Sequence, residues 1–328
     1  MRILFVTSNR IGDAVLYTGL LGHLLDRHPG ARVTIACGPA PAPLFRAVPG
    51  LETLLVLRKQ PLAGHWRALW AAAIGTRWDV VLDLRASALA YLLFARERFV
   101  FRPSHDPVHR VRQLGAVFGR ADDPPAPRLW LSDGDRAAAA ALLPPGSPVL
   151  AVGPTANWWG KEWPAAGFVE LVGRLTAPGA AFAGARVAVF GGPGEREAAA
   201  PLLAALPEGR GIDLVGTVSL SVAAAAMERA RLYVGNDSGL MHMAAAAGVP
   251  TLGLFGPSRD ELYAPWGGHC AALRGPRSYD EIVSAPGYDR HVRMSHLADL
   301  AVDRVEEAVL ALAARTAPGG RDQMDMSR

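Results

Sequence analysis

The sequence is poor in cysteine and contains no long apolar run. Its two cysteines, Cys37 and Cys270, are too few and too far apart for a disulfide framework or a zinc cluster, so both are expected to be small buried residues in a reducing compartment. No stretch reaches the roughly 18 uninterrupted apolar residues of a membrane-spanning helix. Residues 1–6 lead into a glycine-containing turn instead of a signal-peptide cleavage site. These features predict an unexported protein of the cytoplasm.

Two common nucleotide-binding motifs are missing as well. Neither Gly-x-x-x-x-Gly-Lys-Ser/Thr nor Gly-x-Gly-x-x-Gly follows any predicted strand, which argues against a P-loop NTPase and against an ordinary Rossmann dehydrogenase. A nucleotide bound by this chain would therefore be held by other groups.

Lysine is rare, and charge is unevenly distributed. Only Lys59 and Lys161 are lysines among the 34 Lys and Arg residues, and the formal net charge is +4. Residues 1–148 contain 18 Lys and Arg against 11 Asp and Glu, whereas the remainder contains 16 against 19. The first half is therefore suited to an acidic partner, unless arginine is simply common in this chain.

A basic stretch in the first half has two interpretations. It is a candidate surface for a phosphorylated acceptor or for the anionic headgroups of a membrane, or it is a solvated basic face. Its members are Arg96, Arg98, Arg102, His105, His109, Arg110 and Arg112.

Short β-rich runs alternate with longer helical stretches, which is typical of parallel sheets covered by helices on both faces. Proline-rich breaks occur at residues 122–127 and 144–148, and the second break predicts the boundary between two doubly wound α/β domains, residues 1–148 and 149–316. An amphipathic helix at about residues 297–314 could pack back on the first domain, and residues 317–328 are predicted to form a disordered tail. The predicted strands are 3–8, 32–36, 53–57, 80–84 and 99–102 in the first domain, and 149–153, 186–190, 213–215, 232–235, 251–255 and 270–273 in the second.

Polar and glycine-containing segments follow five of these strands. Ligands of open α/β sheets bind outside the carboxyl ends of the strands, where these segments lie. Glycine and hydroxyl residues at helix starts let backbone N–H groups approach a phosphate, and the helix dipole favours negative charge. We therefore expect a diphosphate ligand on the second domain. The segments are residues 9–13, 154–161, 191–195, 216–217 and 236–239.

Several of these segments resemble one known family, glycosyltransferase family nine. The run 234–246, which contains Asn236-Asp237-Ser238-Gly239, is similar to the donor-site signature of that family, as is the following Gly256-Pro257-Ser258. The blocks Ile11-Gly12-Asp13, Thr155…Lys161-Glu162-Trp163-Pro164 and Gly191-Gly192-Pro193-Gly194-Glu195 stand in the expected order, and the similarity covers most of the chain. It implies the GT-B architecture, in which two Rossmann-like domains face a central cleft, with the acceptor on the N-terminal domain and the nucleotide sugar on the C-terminal one. It also implies inversion at the anomeric carbon without a metal or a cofactor.

The resemblance further implies roles for individual residues. Asp13 would be the general base. The alternative is an acid in the first helical turn that only interacts favourably with the helix dipole. Lys161 would offset the negative charge of the donor phosphates, the alternative being a solvated surface lysine. Asp237 and Ser238 would line the donor pocket, which is compatible with capping a helix. Thr155 would also contact the donor phosphates, and Gly239 and His242 would lie in the donor pocket, a packed core histidine being the alternative for His242. The strand-end glycines Gly191, Gly192 and Gly216 are further donor-binding candidates, and for Gly191 and Gly192 the alternative is a tight turn.

Two features depart from the family pattern. Gly19 stands where the family usually has proline in its first helix, and residues 274–293 match no pattern. The second departure leaves the donor sugar undetermined.

The sequence as a whole predicts a transferase that moves a sugar, heptose from ADP-heptose, onto a lipopolysaccharide-core or related cell-envelope glycan. Expected partners are the nucleotide-sugar donor, an acidic lipid-linked acceptor and, transiently, the anionic inner face of the cytoplasmic membrane, with no nucleic acid. Three alternatives remain. They are a family-nine transferase that uses a UDP-hexose or UDP-N-acetylhexosamine, a GT-B-like sugar-nucleotide epimerase that needs no acceptor, and a non-catalytic sugar-nucleotide-binding protein that needs no Asp13.

Overall fold

The computed structural model describes residues 1–104 and 106–317, which form two compact α/β units divided between Ser132 and Asp133. Both units are doubly wound parallel sheets, so the predicted fold class is confirmed. Except for Ala317, the predicted disordered tail lies outside the described residues, as does His105. Within the described part of the chain, no helix combines the length and apolarity needed to cross a membrane.

The first unit is built on a five-stranded parallel sheet with the order β3-β2-β1-β4-β5. The chain begins at the central strand, moves outward, and returns to the other side of that strand. The order therefore reverses between β1 and β4, where ligands of such sheets bind. The strands are β1 Arg2–Val6, β2 Arg32–Cys37, β3 Leu51–Val56, β4 Trp78–Asp83 and β5 Ala95–Val100, and the helices are α1 Ile11–Arg27, α2 Gly64–Ala73 and α3 Arg110–Gly115.

The second unit repeats this arrangement with six parallel strands in the order β11-β10-β9-β6-β7-β8. Here the order reverses between β6 and β9. The strands are β6 Val149–Gly153, β7 Arg186–Gly191, β8 Gly211–Val215, β9 Leu232–Asn236, β10 Thr251–Phe255 and β11 Cys270–Arg274. The helices are α4 Asp133–Leu142, α5 Ala165–Thr176, α6 Arg196–Ala205, α7 Leu220–Met227, α8 Gly239–Ala246, α9 Asp260–Tyr263, α10 Tyr279–Val283 and α11 Val302–Arg315.

The central strands are buried on both faces because helices cover both sides of each sheet. In the second unit, α5 presents Phe168, Leu171 and Leu175 to this core at helical spacing.

Cys37 is buried and Cys270 is partly buried, and burial raises the pKa of both thiols to about 12.

The boundary between the two units differs from the sequence-based expectation. The second unit begins at Asp133, upstream of the predicted boundary at 148, because α4 packs against α7. Ser221 on α7 donates a 2.7 Å hydrogen bond to Asp135 on α4. Within the second unit, helix α11 buries Val305 and Val309 in the core against α5, β10 and β11.

The glycine at position 19 has a packing reason. A Cβ at Gly19 on α1 would lie 2.2 Å from the carbonyl oxygen of Pro125 and 2.9 Å from that of Ala126. The segment that follows residue 122 therefore crosses α1 in direct backbone contact, for which only glycine leaves room. Nearby, the backbone N–H of Arg128 donates to the Thr18 hydroxyl at 3.0 Å.

Candidate active site

Asp13 lies in the first turn of α1, directly after the central strand of the first unit. The Ser8 hydroxyl donates to Asp13 Oδ2 at 3.3 Å and accepts a 3.1 Å hydrogen bond from the backbone N–H of Arg10. The carboxylate is partly exposed. Asp13 is thus fixed at the strand-order reversal of the first sheet and remains accessible to a ligand.

The neighbouring strand adds a second acid and a cation at the same sheet edge. Asp83, fully buried at the end of β4, accepts hydrogen bonds from the backbone N–H groups of Arg85 (2.9 Å) and Ser87 (2.8 Å), and so shapes the loop after this strand. Arg85 donates to Asn9 Oδ1 at 2.9 Å and stacks over Trp66 at 5.0 Å. The sequence interpretation missed Arg85, although its position just past a strand end was a usable signal.

The predicted basic stretch is only partly available to a partner. Arg110 is buried, donates to Gln113 Oε1 at 2.7 Å and lies over Phe101, so it does not form part of an exposed basic face. Arg98 donates to the carbonyl oxygens of Ala90 (3.0 Å) and Leu93 (2.7 Å) and thereby braces the segment before β5. Among the described members of the stretch, the exposed arginines are Arg96, Arg98, Arg102 and Arg112, of which Arg98 is held by these two carbonyl groups.

In the second unit, the structure brings Lys161 and Asp237 together at the strand-order reversal. Lys161 Nζ lies 2.6 Å from Asp237 Oδ2, and the two side chains are 24% and 7% exposed. Ser258, in the turn after β10, donates its hydroxyl to the same oxygen at 2.6 Å. Three strand ends therefore meet at one buried carboxylate, and Lys161 is not a solvated surface lysine.

Asn236 holds the loop that carries Lys161. This fully buried residue at the end of β9 accepts from the backbone N–H of Trp163 at 2.9 Å and donates to the carbonyl oxygen of Pro154 at 2.8 Å. Both ends of the loop after β6 are thus attached to β9. The Trp163 indole donates to the carbonyl oxygen of Leu300 at 2.9 Å, which fixes the start of α5.

A second polar cluster lies around Glu195, after β7. Its Oε2 accepts from the hydroxyl of the fully buried Thr155 at 2.6 Å and from the backbone N–H of Gly192 at 2.7 Å. Glu162 accepts from the backbone N–H of Ala156 at 3.0 Å, and burial raises the pKa of its carboxyl group. The sequence pattern places Glu195 after β7 but does not indicate a role for its carboxylate.

The remaining predicted donor residues have clear local positions. Ser238 caps α8 by accepting from the backbone N–H of Met241, Gly239 opens the helix, and His242 is buried one turn on. Gly216 has a φ of +67°, and a Cβ there would lie 2.5 Å from Pro193 Cα. Gly216 therefore closes a turn against the loop after β7. At the start of α8, the backbone N–H groups form a helix terminus that favours an anion.

The segment that matched no sequence pattern packs on the Lys161 loop. The indoles of Trp158 and Trp159 donate to the carbonyl oxygens of Arg290 (2.8 Å) and Val292 (2.9 Å). The backbone N–H of His296 donates to the carbonyl oxygen of Gly160 at 3.1 Å. Burial lowers the pKa of His296, with Arg277 acting in the same direction.

In the part of the chain that the structure describes, no three His, Cys, Asp or Glu side chains are grouped so as to hold a metal ion.

Comparison with known proteins gives a consistent result. The family model for glycosyltransferase family 9 (heptosyltransferase) matches residues 64–283. Lipopolysaccharide heptosyltransferase 1 of Pseudomonas aeruginosa is 33% identical over 300 residues, which cover 81% of this chain and 82% of that protein. Lipopolysaccharide heptosyltransferase 2 of Escherichia coli is 30% identical over 209 residues, and the match spans 60% of this chain and only 57% of the relative.

Solved structures agree on the fold. The structure of E. coli ADP-heptose lipopolysaccharide heptosyltransferase II matches with a TM-score of 0.77 at 22% identity, covering 97% of this chain and all of the other. An E. coli heptosyltransferase solved with ADP matches with a TM-score of 0.71 at 18% identity, covering 95% of this chain and 100% of the other. The two parallel-sheet units thus define a GT-B fold. The chain belongs to glycosyltransferase family 9, as the resemblance implied.

Proposed function

We propose that this protein is an inverting, metal-independent glycosyltransferase that moves heptose from ADP-heptose onto a lipopolysaccharide-core or related cell-envelope glycan. Family membership and the lipopolysaccharide heptosyltransferases among its relatives support this proposal. The observation that carries it is the Lys161–Asp237 pair, which lies where the second sheet reverses its strand order.

The donor would bind the second unit through its diphosphate and its hydroxyl groups. Lys161 supplies a positive charge for the phosphates, and the start of α8 at Ser238 and Gly239 supplies backbone N–H groups. The Thr155–Glu195 pair offers a carboxylate that can accept hydrogen bonds from sugar hydroxyls. Lys161 would offset part of the charge that develops on the departing nucleotide when its ammonium group turns from Asp237 to the phosphates, and this role needs no metal.

Asp13 would act as the general base. It takes the proton from an acceptor hydroxyl, the acceptor oxygen forms the new bond to the anomeric carbon, and the nucleoside diphosphate leaves with the electron pair of the broken bond. Attack opposite the leaving group inverts the anomeric centre. The hydrogen bond from Ser8 orients the carboxylate and leaves its other oxygen for the substrate proton.

We further infer that the acceptor is acidic and lipid-linked, and that the protein works at the inner face of the cytoplasmic membrane through transient contact. The excess of 18 Lys and Arg over 11 Asp and Glu in residues 1–148 supports an acidic partner. Within the basic stretch, Arg96, Arg102 and Arg112 are exposed and would be available for this contact, whereas the exposed Arg98 is engaged by backbone carbonyl groups.

The test combines titration with product analysis. Calorimetry should show binding of ADP in preference to UDP, and ADP-heptose with a deacylated core acceptor should give a product of inverted anomeric configuration in the presence of EDTA. Preference for UDP would replace the donor assignment by a UDP-sugar. Sugar interconversion without acceptor would indicate an epimerase, and nucleotide binding without any turnover would indicate a non-catalytic binding protein.

A further inference from the structure

We propose that Ser258, held in place by Arg274, positions the Asp237 carboxylate and through it the Lys161 ammonium group for a nucleoside diphosphate. The inference rests on the proposed donor site and adds two positioning residues to it. Neither residue had a role in the family pattern: Ser258 ends a signature block, and Arg274 begins the stretch that matched nothing.

Both partners of Asp237 bind the same carboxylate oxygen. Lys161 Nζ and Ser258 Oγ each lie 2.6 Å from Asp237 Oδ2, and the Asp237 side chain is only 7% exposed. A carboxylate this buried is destabilised when it loses its partners. When the Lys161 ammonium group contacts an incoming phosphate and interacts less with Asp237, the Ser258 hydroxyl still donates to Asp237. Ser258 therefore lowers the cost of releasing Lys161 to the ligand.

Ser258 lies in a turn, so its position depends on what holds that turn. Arg274, at the end of β11, donates to the carbonyl oxygens of Gly256 (2.6 Å) and Ser258 and, through Nε, to Asp260 Oδ1 at 2.8 Å. The guanidinium thus contacts the turn before, at and after Ser258. Lysine could not reproduce this pattern, because it lacks the planar fork of donors.

A neighbouring arginine provides the contrast. Arg259 follows Ser258 directly but points to the surface, where it pairs with Glu261 (3.0 Å) and Asp280 (3.0 Å) and lies over the Tyr279 ring at 4.4 Å. Its side chain is 39% exposed. Loss of Arg259 therefore removes an arginine from the same turn without touching the Ser258–Asp237–Lys161 contacts.

The experiment is a double-mutant cycle read out by calorimetric titration with ADP and UDP. Ser258→Ala should weaken binding of the preferred nucleotide about tenfold, as expected for one hydrogen bond to a charged group, and Ser258→Thr, which keeps the hydroxyl, should restore it. In a Lys161→Ala background Ser258→Ala should have little further effect, because it acts through Lys161. Arg274→Gln should reproduce the Ser258→Ala loss, whereas Arg259→Gln should bind like the wild type. Thermal midpoints of all variants show whether they are folded.

Each outcome bears on the proposal. Additive losses for Ser258→Ala and Lys161→Ala, failure of Ser258→Thr to restore binding, or equal effects of Arg274→Gln and Arg259→Gln would overturn it and leave the proposed transferase intact. If the wild-type protein bound neither ADP nor UDP, both the positioning role and the donor assignment would be wrong. If Arg274→Gln fails to fold, the Ser258 variants alone decide the question.

Discussion

Lys161→Ala tests one role proposed for this lysine and one contact that the structure shows. The proposed role is contact with the donor phosphates, and loss of one charge-assisted hydrogen bond costs about 1.5–3 kcal/mol. Since about 1.4 kcal/mol corresponds to a tenfold change in dissociation constant, ADP should bind about 10–150-fold more weakly. The observed contact is the pairing with Asp237, whose side chain is 7% exposed. Breaking a fully buried pair costs about 3–5 kcal/mol. Lys161 is 24% exposed and Ser258 remains, so we expect about 1–2 kcal/mol.

The assay measures ADP affinity and thermal midpoint on the same preparations. A stability loss of about 1–2 kcal/mol should lower the midpoint by about 2–8 °C. Adding Asp237→Asn to Lys161→Ala removes the unpaired charge, so it should recover the midpoint without recovering ADP affinity. Lys59→Ala removes an exposed lysine of the first unit and is the matched control, for which neither quantity should change. Wild-type ADP affinity in Lys161→Ala would refute the phosphate contact, and an unchanged midpoint would refute the buried pairing.

Three further predictions follow from the same contacts. Trp163→Phe loses the indole hydrogen bond to Leu300 and should lower stability by about 1–3 kcal/mol in denaturant titration; an unaltered unfolding midpoint would contradict this. The acceptor KM should rise with ionic strength more than the donor KM, because contacts of exposed arginines are screened beyond about 8 Å at physiological salt; parallel changes would count against a charged acceptor surface. Burial raises the pKa of Glu162, so the folded state keeps this proton to higher pH than the unfolded chain. The stabilisation that this group supplies at low pH is lost as pH rises through its raised pKa. Glu162→Gln should therefore show a smaller decline of thermal midpoint with pH than wild type, and an identical pH profile would argue against the burial effect.

The fold was predictable because it follows from a local feature of the sequence, the alternation of β-rich runs and helical segments. Every predicted strand has a counterpart in one of the two sheets, since short β-rich runs separated by helices of crossover length allow few other topologies. The unit boundary was less predictable. The break at residues 144–148 is richer in proline than the true junction, but α4 belongs with α7 through contacts between Asp135 and Ser221, far apart in sequence.

For the proposed donor site, the sequence indicated which residues follow the strands but not which side chains pair with one another. Thr155, Lys161 and Asp237 were placed at strand ends from the order of sequence blocks, and the structure does bring Lys161 and Asp237 together. That Ser258 shares the same carboxylate oxygen depends on which strands are neighbours, which composition does not encode. The same limit applies to arginine: nothing in the sequence distinguishes the buried Arg110 from the exposed Arg112.

We propose Asp13 as the base of a sugar transfer whose nucleotide site lies on the second unit. Asp13→Asn should keep the thermal midpoint and ADP affinity, because asparagine can still accept the Ser8 hydrogen bond. Single-turnover transfer from ADP-heptose should fall by about 10²–10⁴-fold, the usual contribution of a positioned general base. Asp26→Asn, at the other end of α1, is the matched control and should transfer normally. Near wild-type transfer by Asp13→Asn would show that Asp13 is not the base, and parallel losses of transfer, ADP affinity and thermal midpoint would indicate a structural role instead.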